Sequence, residues 1–149
     1  MPVDQSYIGR VYPPTAPYEV GREKIREFAD AINDPNPAYR DRAAAQALGY
    51  ADVIAPPTFP IVLTLQAGHQ VIADPDLGID YSRVVHGEQQ FVHHRPVTAG
   101  DVLQVVVTVE NIRAAAGNDM VTTRADVSTV EGEAVLTARS TIVARGTAA

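Results

Sequence analysis

The chain contains no cysteine. Disulfides, thiolate metal sites and cysteine nucleophiles are therefore excluded. It is also short of positive charge, with 12 lysines and arginines against 18 acidic residues and a net charge of −6. That balance supplies no basic footprint for nucleic acid and none for an anionic membrane surface. No apolar run approaches the ~20 residues that cross a bilayer. The stretch Met1 to Gly9 lacks the basic-then-apolar order of a secretory leader. There is no internal repeat, low-complexity tract or linker, and only the residues from Arg145 onward read as a frayed tail. The expectation is one cytoplasmic domain over residues 1–149 that binds neither nucleic acid nor membrane.

What is present is the composition of a soluble globular protein, 46% apolar and 20% charged. A chain of this length buries about two thirds of its extended surface. Helical patterns come first. From Arg22 to Asn33, Ile25, Phe28, Ala29 and Ile32 recur at spacings of three and four, one apolar stripe, with Glu23 in the first turn. Asp34-Pro35 stops this helix, because the residue before proline avoids helical angles. Asn36 is placed to cap a second helix, with Pro37 at its first position and Gly49 past its end. Thr58 is placed to cap a third, running to about Ile72. Its apolar residues fall on most sides, which predicts burial on most sides. From Tyr81 the period becomes two. Strands are expected over Val84–Phe91, Val102–Ile112, about Met120–Val130 and about Ala134–Ala144. Leu103, Val105, Val107 and Val109 take one face of the second. The short turns at Gly117-Asn118 and Glu131-Gly132 make the meander antiparallel. Periodicity gives an α+β fold with an antiparallel sheet. The exposed edges of such a sheet call for a second copy or a sister chain.

The densest chemical signal is Asp34-Pro35-Asn36-Pro37-Ala38-Tyr39. Asp, Asn and Pro are turn residues, and a turn followed by a helix cap accounts for them alone. The stretch also resembles the Asp-x-Asn-Pro-x-His signature of the MaoC-like, or R-specific, enoyl-thioester hydratases. In that family the Asp and His hold one water between them and move its protons. Asp34, Asn36 and Pro37 match, and Tyr39 stands where the histidine belongs. Hydration needs a water deprotonated at the β-carbon, a proton delivered to the α-carbon and a stabilised thioester oxygen. Histidine titrates near about pH 6.5 and exchanges protons at neutrality; tyrosine, near about pH 10, stays protonated and only donates a hydrogen bond.

Other segments carry the same resemblance. Gly49-Tyr50 closes the segment after the motif. Where the hydratases have Ile-Ala-His-Gly, this chain has Ile54-Ala55-Pro56-Pro57-Thr58-Phe59. Pro57 has no N–H, so a donor to the thioester oxygen would come from Thr58 or Phe59. His86-Gly87-Glu88-Gln89-Gln90-Phe91, Arg95-Pro96-Val97 and Gly100-Asp101 also look like the family, from Tyr7 to Ala144 nearly the whole chain. The nearest likeness is to the N-terminal-type MaoC dehydratase domain, including non-catalytic, substrate-binding subunits of a heterodimeric (3R)-hydroxyacyl-ACP dehydratase.

That resemblance implies a hot-dog fold, an antiparallel sheet wrapped around a long central helix. It implies an acyl thioester, on CoA or acyl carrier protein, as ligand, with a sister subunit carrying the intact catalytic pair; without the sister, such chains can adopt a homodimer. An acidic carrier protein would be repelled at long range except near a basic cluster such as Arg40 and Arg42. No cofactor and no metal is implied. His93 and His94, as strand neighbours, point to opposite faces and do not chelate one ion. Asp34 is the implied partial or vestigial catalytic group. Asn36, Tyr39, Pro57, Thr58, Phe59, Leu63, His86 and Gly87 are the implied substrate-binding residues, with Phe59, Leu63 and Tyr39 bordering the groove. His86 reads either as a strand-end histidine bonded to backbone or as a substitute acid or base at the pocket mouth. His69 reads as a core histidine on the buried helix. Two alternatives stand beside the subunit reading: a homodimeric enoyl-CoA hydratase or thioesterase using Asp34, and a non-enzymatic acyl-binding module.

Overall fold

The computed structural model describes residues 2–148. Three helices, α1 (Arg22–Ala31), α2 (Arg42–Ala47) and α3 (Ile61–Ile72), precede most of one five-stranded antiparallel sheet. Its strands are β1 (Tyr18–Glu19), β2 (Val84–His93), β3 (Val102–Ala115), β4 (Asn118–Thr129) and β5 (Ala134–Ala144), in the order β1-β3-β4-β5-β2. Alternation along β3 puts Leu103, Val105, Val107 and Val109 into the core, as their period of two requires. Val105, Val127 and Leu136 lie in register across β3, β4 and β5, and Val107, Ala125 and Ala138 form the next row. α3 lies against this concave face.

The edges of the sheet differ. Residues 9–20 run along the outer side of β3, with the amides of Gly9, Tyr12 and Thr15 donating to the carbonyls of Val109, Val107 and Val105 at 2.8–3.0 Å. That side is covered by the chain's own N-terminal segment. β2 pairs only with β5, and its second side has no strand beside it among the described residues.

Prolines move the helix boundaries. α3 begins at Ile61 with Pro60, not Thr58, at its cap position. Pro57 to Pro60 form a turn in which the Phe59 amide donates to Pro56 O and the Ile61 amide to Thr58 O. Pro60 disfavours helical angles at Phe59, so regular helix starts after the last proline. The helix expected from Asn36 is split. Asn36 Oδ1 accepts from the Ala38 amide at 3.0 Å and caps a 3-10 turn, Pro37–Tyr39; Asp41 then caps α2. α3 is also less enclosed than its composition predicts. Leu63, Thr64, Ala67 and Val71 are buried on one stripe, while Leu65, Gln66 and His69 are exposed. His69 is thus a surface histidine in this chain, not a core one.

Two carboxylates tie distant segments together. Asp119, wholly buried, accepts from the Val3 amide at 3.1 Å and from Thr147 Oγ1 at 2.7 Å. Asp52 accepts from Arg22 Nη2 at 2.6 Å and from its own neighbour, the Val53 amide, at 2.7 Å. This joins the start of α1 to the segment that leads into Ala55-Pro56-Pro57. The Arg22 hydrogen bond is the main cause holding the Asp52 carboxyl down at about 2. Unfolded, the same group titrates near about pH 4. The stability it supplies is therefore full above about pH 4 and lost as pH falls through about 2. Denaturation curves should show a constant gap between wild type and Asp52→Asn from neutrality down to about pH 4, closing below it.

Candidate functional site

The motif sits where α1 ends. The Asp34 amide donates to Ala29 O at 2.9 Å, and Asp34 Oδ1 accepts from the Asn36 amide at 3.1 Å. Asp34 is partly buried and its other oxygen accepts no hydrogen bond from the described residues. Directly after Asn36, the 3-10 turn Pro37–Tyr39 drives Tyr39 inward until only 7% of it is exposed. Burial first, and then the negative charge of Asp34, push the Tyr39 phenol above its usual value, with the Asn36 side chain pulling weakly the other way. The pair therefore holds a carboxylate beside a phenol that keeps its proton at neutral pH.

Tyr39 forms one wall of a groove of about 380 Å³, with Ile54, Ala55, Pro57, His93 and His94 around it. His93, at the end of β2, donates from Nε2 to Pro57 O at 2.8 Å. This bond crosses from the sheet to the proline turn and fixes the floor of the groove. Sequence spacing gave no hint of it, since the partners lie 36 positions apart. Thr58 is exposed beside Pro57. Of the two amides expected to face a thioester oxygen, Phe59 N–H is already bonded to Pro56 O, and Thr58 N–H makes no bond among the described residues.

The remaining residues lie elsewhere. Phe59, expected to border a groove, is 0% exposed and packs edge-on against Phe28 with ring centres 5.6 Å apart. Being wholly apolar, it is drawn into the core at the junction of α1 and the proline turn. Leu63 lines a second groove with Pro17, Tyr18 and Val105. His86 lines a third of about 330 Å³, between Leu65, His69 and Tyr81 on one side and Ser140 on the other. Its Nε2 lies 2.9 Å from Ser140 Oγ, so its partner is a side chain, not backbone. His86 and His93 are separated by roughly 20 Å of strand, so within one chain His86 does not pair with the Asp34 end.

A bulge explains why His86, though exposed, lies on the side of the sheet that faces α3. The register of β2 on β5 shifts between His86 and Glu88, so His86 pairs with Ile142 and not with Val143. A one-residue shift moves a side chain to the opposite face. Gly87 is the extra residue, and a Cβ there would lie 3.2 Å from Val143 Cγ2 and 3.4 Å from Thr141 O. A larger residue would need the Val143 side chain to give by a few tenths of an ångström, so glycine suits the bulge that aims His86. Among the described residues, no three His, Asp or Glu side chains converge as a metal site, and no helix is long and apolar enough to cross a membrane.

The fold is shared with known proteins. Residues 6–138 match the family described as FAS1-like, dehydratase domain region. A UPF0336 protein of Saccharopolyspora erythraea is 64% identical over 148 residues, covering 99% of this chain and 95% of that protein. Among solved structures, the C-terminally truncated HadBC (3R-hydroxyacyl-ACP dehydratase) complex from Mycobacterium tuberculosis superposes with a TM-score of 0.82 at 34% identity. The match covers 92% of this chain and 96% of that one. A MaoC-like dehydratase gives a TM-score of 0.88 at 36% identity over 95% of this chain and 43% of that longer one. With these neighbours, the curled sheet around α3 is a hot-dog fold.

Proposed function

This chain belongs to the FAS1-like dehydratase-region family, alongside the UPF0336 proteins, and from that premise we propose that it is the acyl-thioester-binding subunit of an (R)-3-hydroxyacyl-thioester dehydratase. The single observation that carries this reading is the buried Tyr39 phenol beside Asp34. Dehydration and its reverse need a group that both gives and takes a proton near neutrality. A phenol pushed upward by burial and a neighbouring carboxylate gives none. Asp34 alone orients a water but returns no proton to the α-carbon. The chemistry then falls to a second hot-dog chain with an intact Asp and His, and this chain supplies binding surface. The similarity to a chain of the HadBC complex supports such a pairing, as does the uncovered side of β2.

In this scheme Tyr39, Asn36, Pro57 and Thr58 border the thioester end, with the Thr58 amide as the available donor. Leu63 and His86 contact other parts of the ligand, and Phe59 supports the wall from behind. The test is to assay enoyl-CoA hydration by the purified chain, by a sister MaoC-like chain with an intact motif, and by the mixture. The mixture should be active where this chain alone is not. Asp34→Asn in this chain should leave the mixture within about twofold of wild type, since it removes no acting acid or base. Rapid turnover by this chain alone, abolished by Asp34→Asn, would instead establish a stand-alone hydratase.

A further inference from the structure

A strand that takes in an extra residue gives up regular pairing, and bulges recur beside active sites because they re-aim a side chain. The bulge at Gly87 aims His86 at a hydroxyl. Ser140 Oγ lies 2.9 Å from His86 Nε2 and has no other hydrogen-bond partner among the described residues. The register accounts for the pair. His86 stands opposite Ile142, and Ser140, two positions before Ile142, shares its face of β5. Continuing the pairing of Glu88 with Thr141 without a shift would set His86 opposite Val143, on the other face. The serine and the imidazole meet because the ladder passes over Gly87. Ser140 is half-buried on β5, a strand paired on both sides, so the hydroxyl stands on a rigid base.

The groove beside them has room for a ligand. It measures about 330 Å³, within the range of small-molecule sites. Leu65, Ile72 and Ile142 give it an apolar seat. Tyr81 and His69, with ring centres 6.3 Å apart, stand across from Ser140 and bring an O–H and an imidazole to the same space. A nucleophile, a base within hydrogen-bond reach and donors across the gap are the parts that acyl transfer uses. None of them belongs to the corner formed by Asp34 and Tyr39.

We propose that Ser140 and His86 form an acyl-transfer dyad, which takes an activated acyl group from an oxygen ester or a thioester onto Ser140. Ser140 Oγ attacks the acyl carbon as its proton passes to His86 Nε2. The C–O or C–S bond of the substrate breaks, and the leaving alkoxide or thiolate takes that proton away. Water then attacks the acyl-serine and gives one proton to His86. The C–Oγ bond breaks, the proton returns to Ser140, and a carboxylic acid is released. No carboxylate is bonded to the His86 ring among the described residues, so both halves are slow. A good leaving group speeds the first half alone, and the acyl-serine then accumulates. This activity is separate from the subunit reading and stands or falls without it.

The experiment treats the purified chain with p-nitrophenyl butyrate and, separately, with butyryl-CoA, and locates the added butyryl group by peptide mass spectrometry. Background acylation is low, since the chain has no cysteine and a single lysine, Lys24. The ester should release a burst of about one equivalent of p-nitrophenol and leave the butyryl group on Ser140. Ser140→Ala should abolish the burst. His86→Gln keeps a hydrogen-bonding partner for Ser140 but no base. It should slow the burst about 10²-fold while unfolding at the wild-type temperature, a split that a structural role for His86 does not give. Label from butyryl-CoA as well as from the ester extends the substrate class to thioesters, and label from the ester alone confines it to oxygen esters; both support the dyad. A folded protein with no butyryl group on Ser140 from either reagent overturns the proposal. So does a Ser140 adduct that forms at the wild-type rate in His86→Gln.

Discussion

Tyr39→His should give this chain hydration activity towards crotonyl-CoA without any partner, about 10²-fold above the parent protein. The scaffold for the reaction is already in place. Asp34 is held by its N–H, which donates to Ala29 O, and by the Asn36 amide, which donates to its Oδ1, and the side chain at position 39 is directed into the same corner. An imidazole there is smaller than the phenol and needs no new space. Its ordinary value lies near about 6.5, and the charge of Asp34 favours the protonated form, moving it towards neutrality. The gain belongs at the low end of the range for one acid–base group, because Pro57 offers no amide and Phe59 N–H is already bonded, which leaves only the Thr58 amide for the thioester oxygen. Two controls identify the cause. Tyr39→Phe should show no gain, and Tyr39→His combined with Asp34→Asn should lose it. A folded Tyr39→His protein with no activity in the stopped assay would show that the departure at Pro56-Pro57 is sufficient by itself to silence the site.

The largest effect on stability is expected from Phe59→Ala, about 3–5 kcal/mol for a fully buried aromatic. Phe59 is the largest side chain with no exposure in the molecule and adds an edge-to-face contact with Phe28. The backbone around it is a proline turn held by few hydrogen bonds, so little can move in to fill the void. At about 2–4 °C per kcal/mol for a chain of this size, the melting temperature should fall by roughly 6–20 °C. Phe59→Leu should cost about a third as much. Because Phe59 underlies Pro57, whose carbonyl accepts from His93, the alanine variant should also lose ligand affinity at the Tyr39 groove when measured below its transition. Melting close to wild type would mean that this corner repacks.

Where the pattern in the sequence was local, the structure followed it. β5 runs over Ala134–Ala144 as the alternation and the Glu131-Gly132 turn require, β3 continues past Ile112 to Ala115, and β4 is shifted towards its start, from Asn118 to Thr129. Capping residues were legible by type but not by competition. Asn36 does cap, yet Asp41 takes over five residues later and the helix breaks between them. The two-residue β1 is too short to carry a period of two and exists only because β3 is there to pair with it. The candidate site was legible where it is contiguous, at Asp34, Asn36 and Tyr39. It was not legible where it depends on register. The placement of His86 on the α3 side of the sheet comes from one extra residue in β2, and the contact of His93 with Pro57 comes from the docking of the sheet on the proline turn. The exposure of His69 likewise reflects which stripe of α3 meets the sheet, a rotation that a helix apolar on most sides leaves undetermined.

Asp119 holds Val3 and Thr147 on a single oxygen, and this has a practical consequence for engineering. Val3 and Thr147 lie side by side, so a linker of a few residues joining them would close the segment between them into a ring. New ends could then be opened at the exposed Glu131-Gly132 turn without breaking a strand. In such a rearranged protein β5 would come first in the chain and β4 last. Tags or fused domains would emerge from that turn and leave the patch around Asp119 bare.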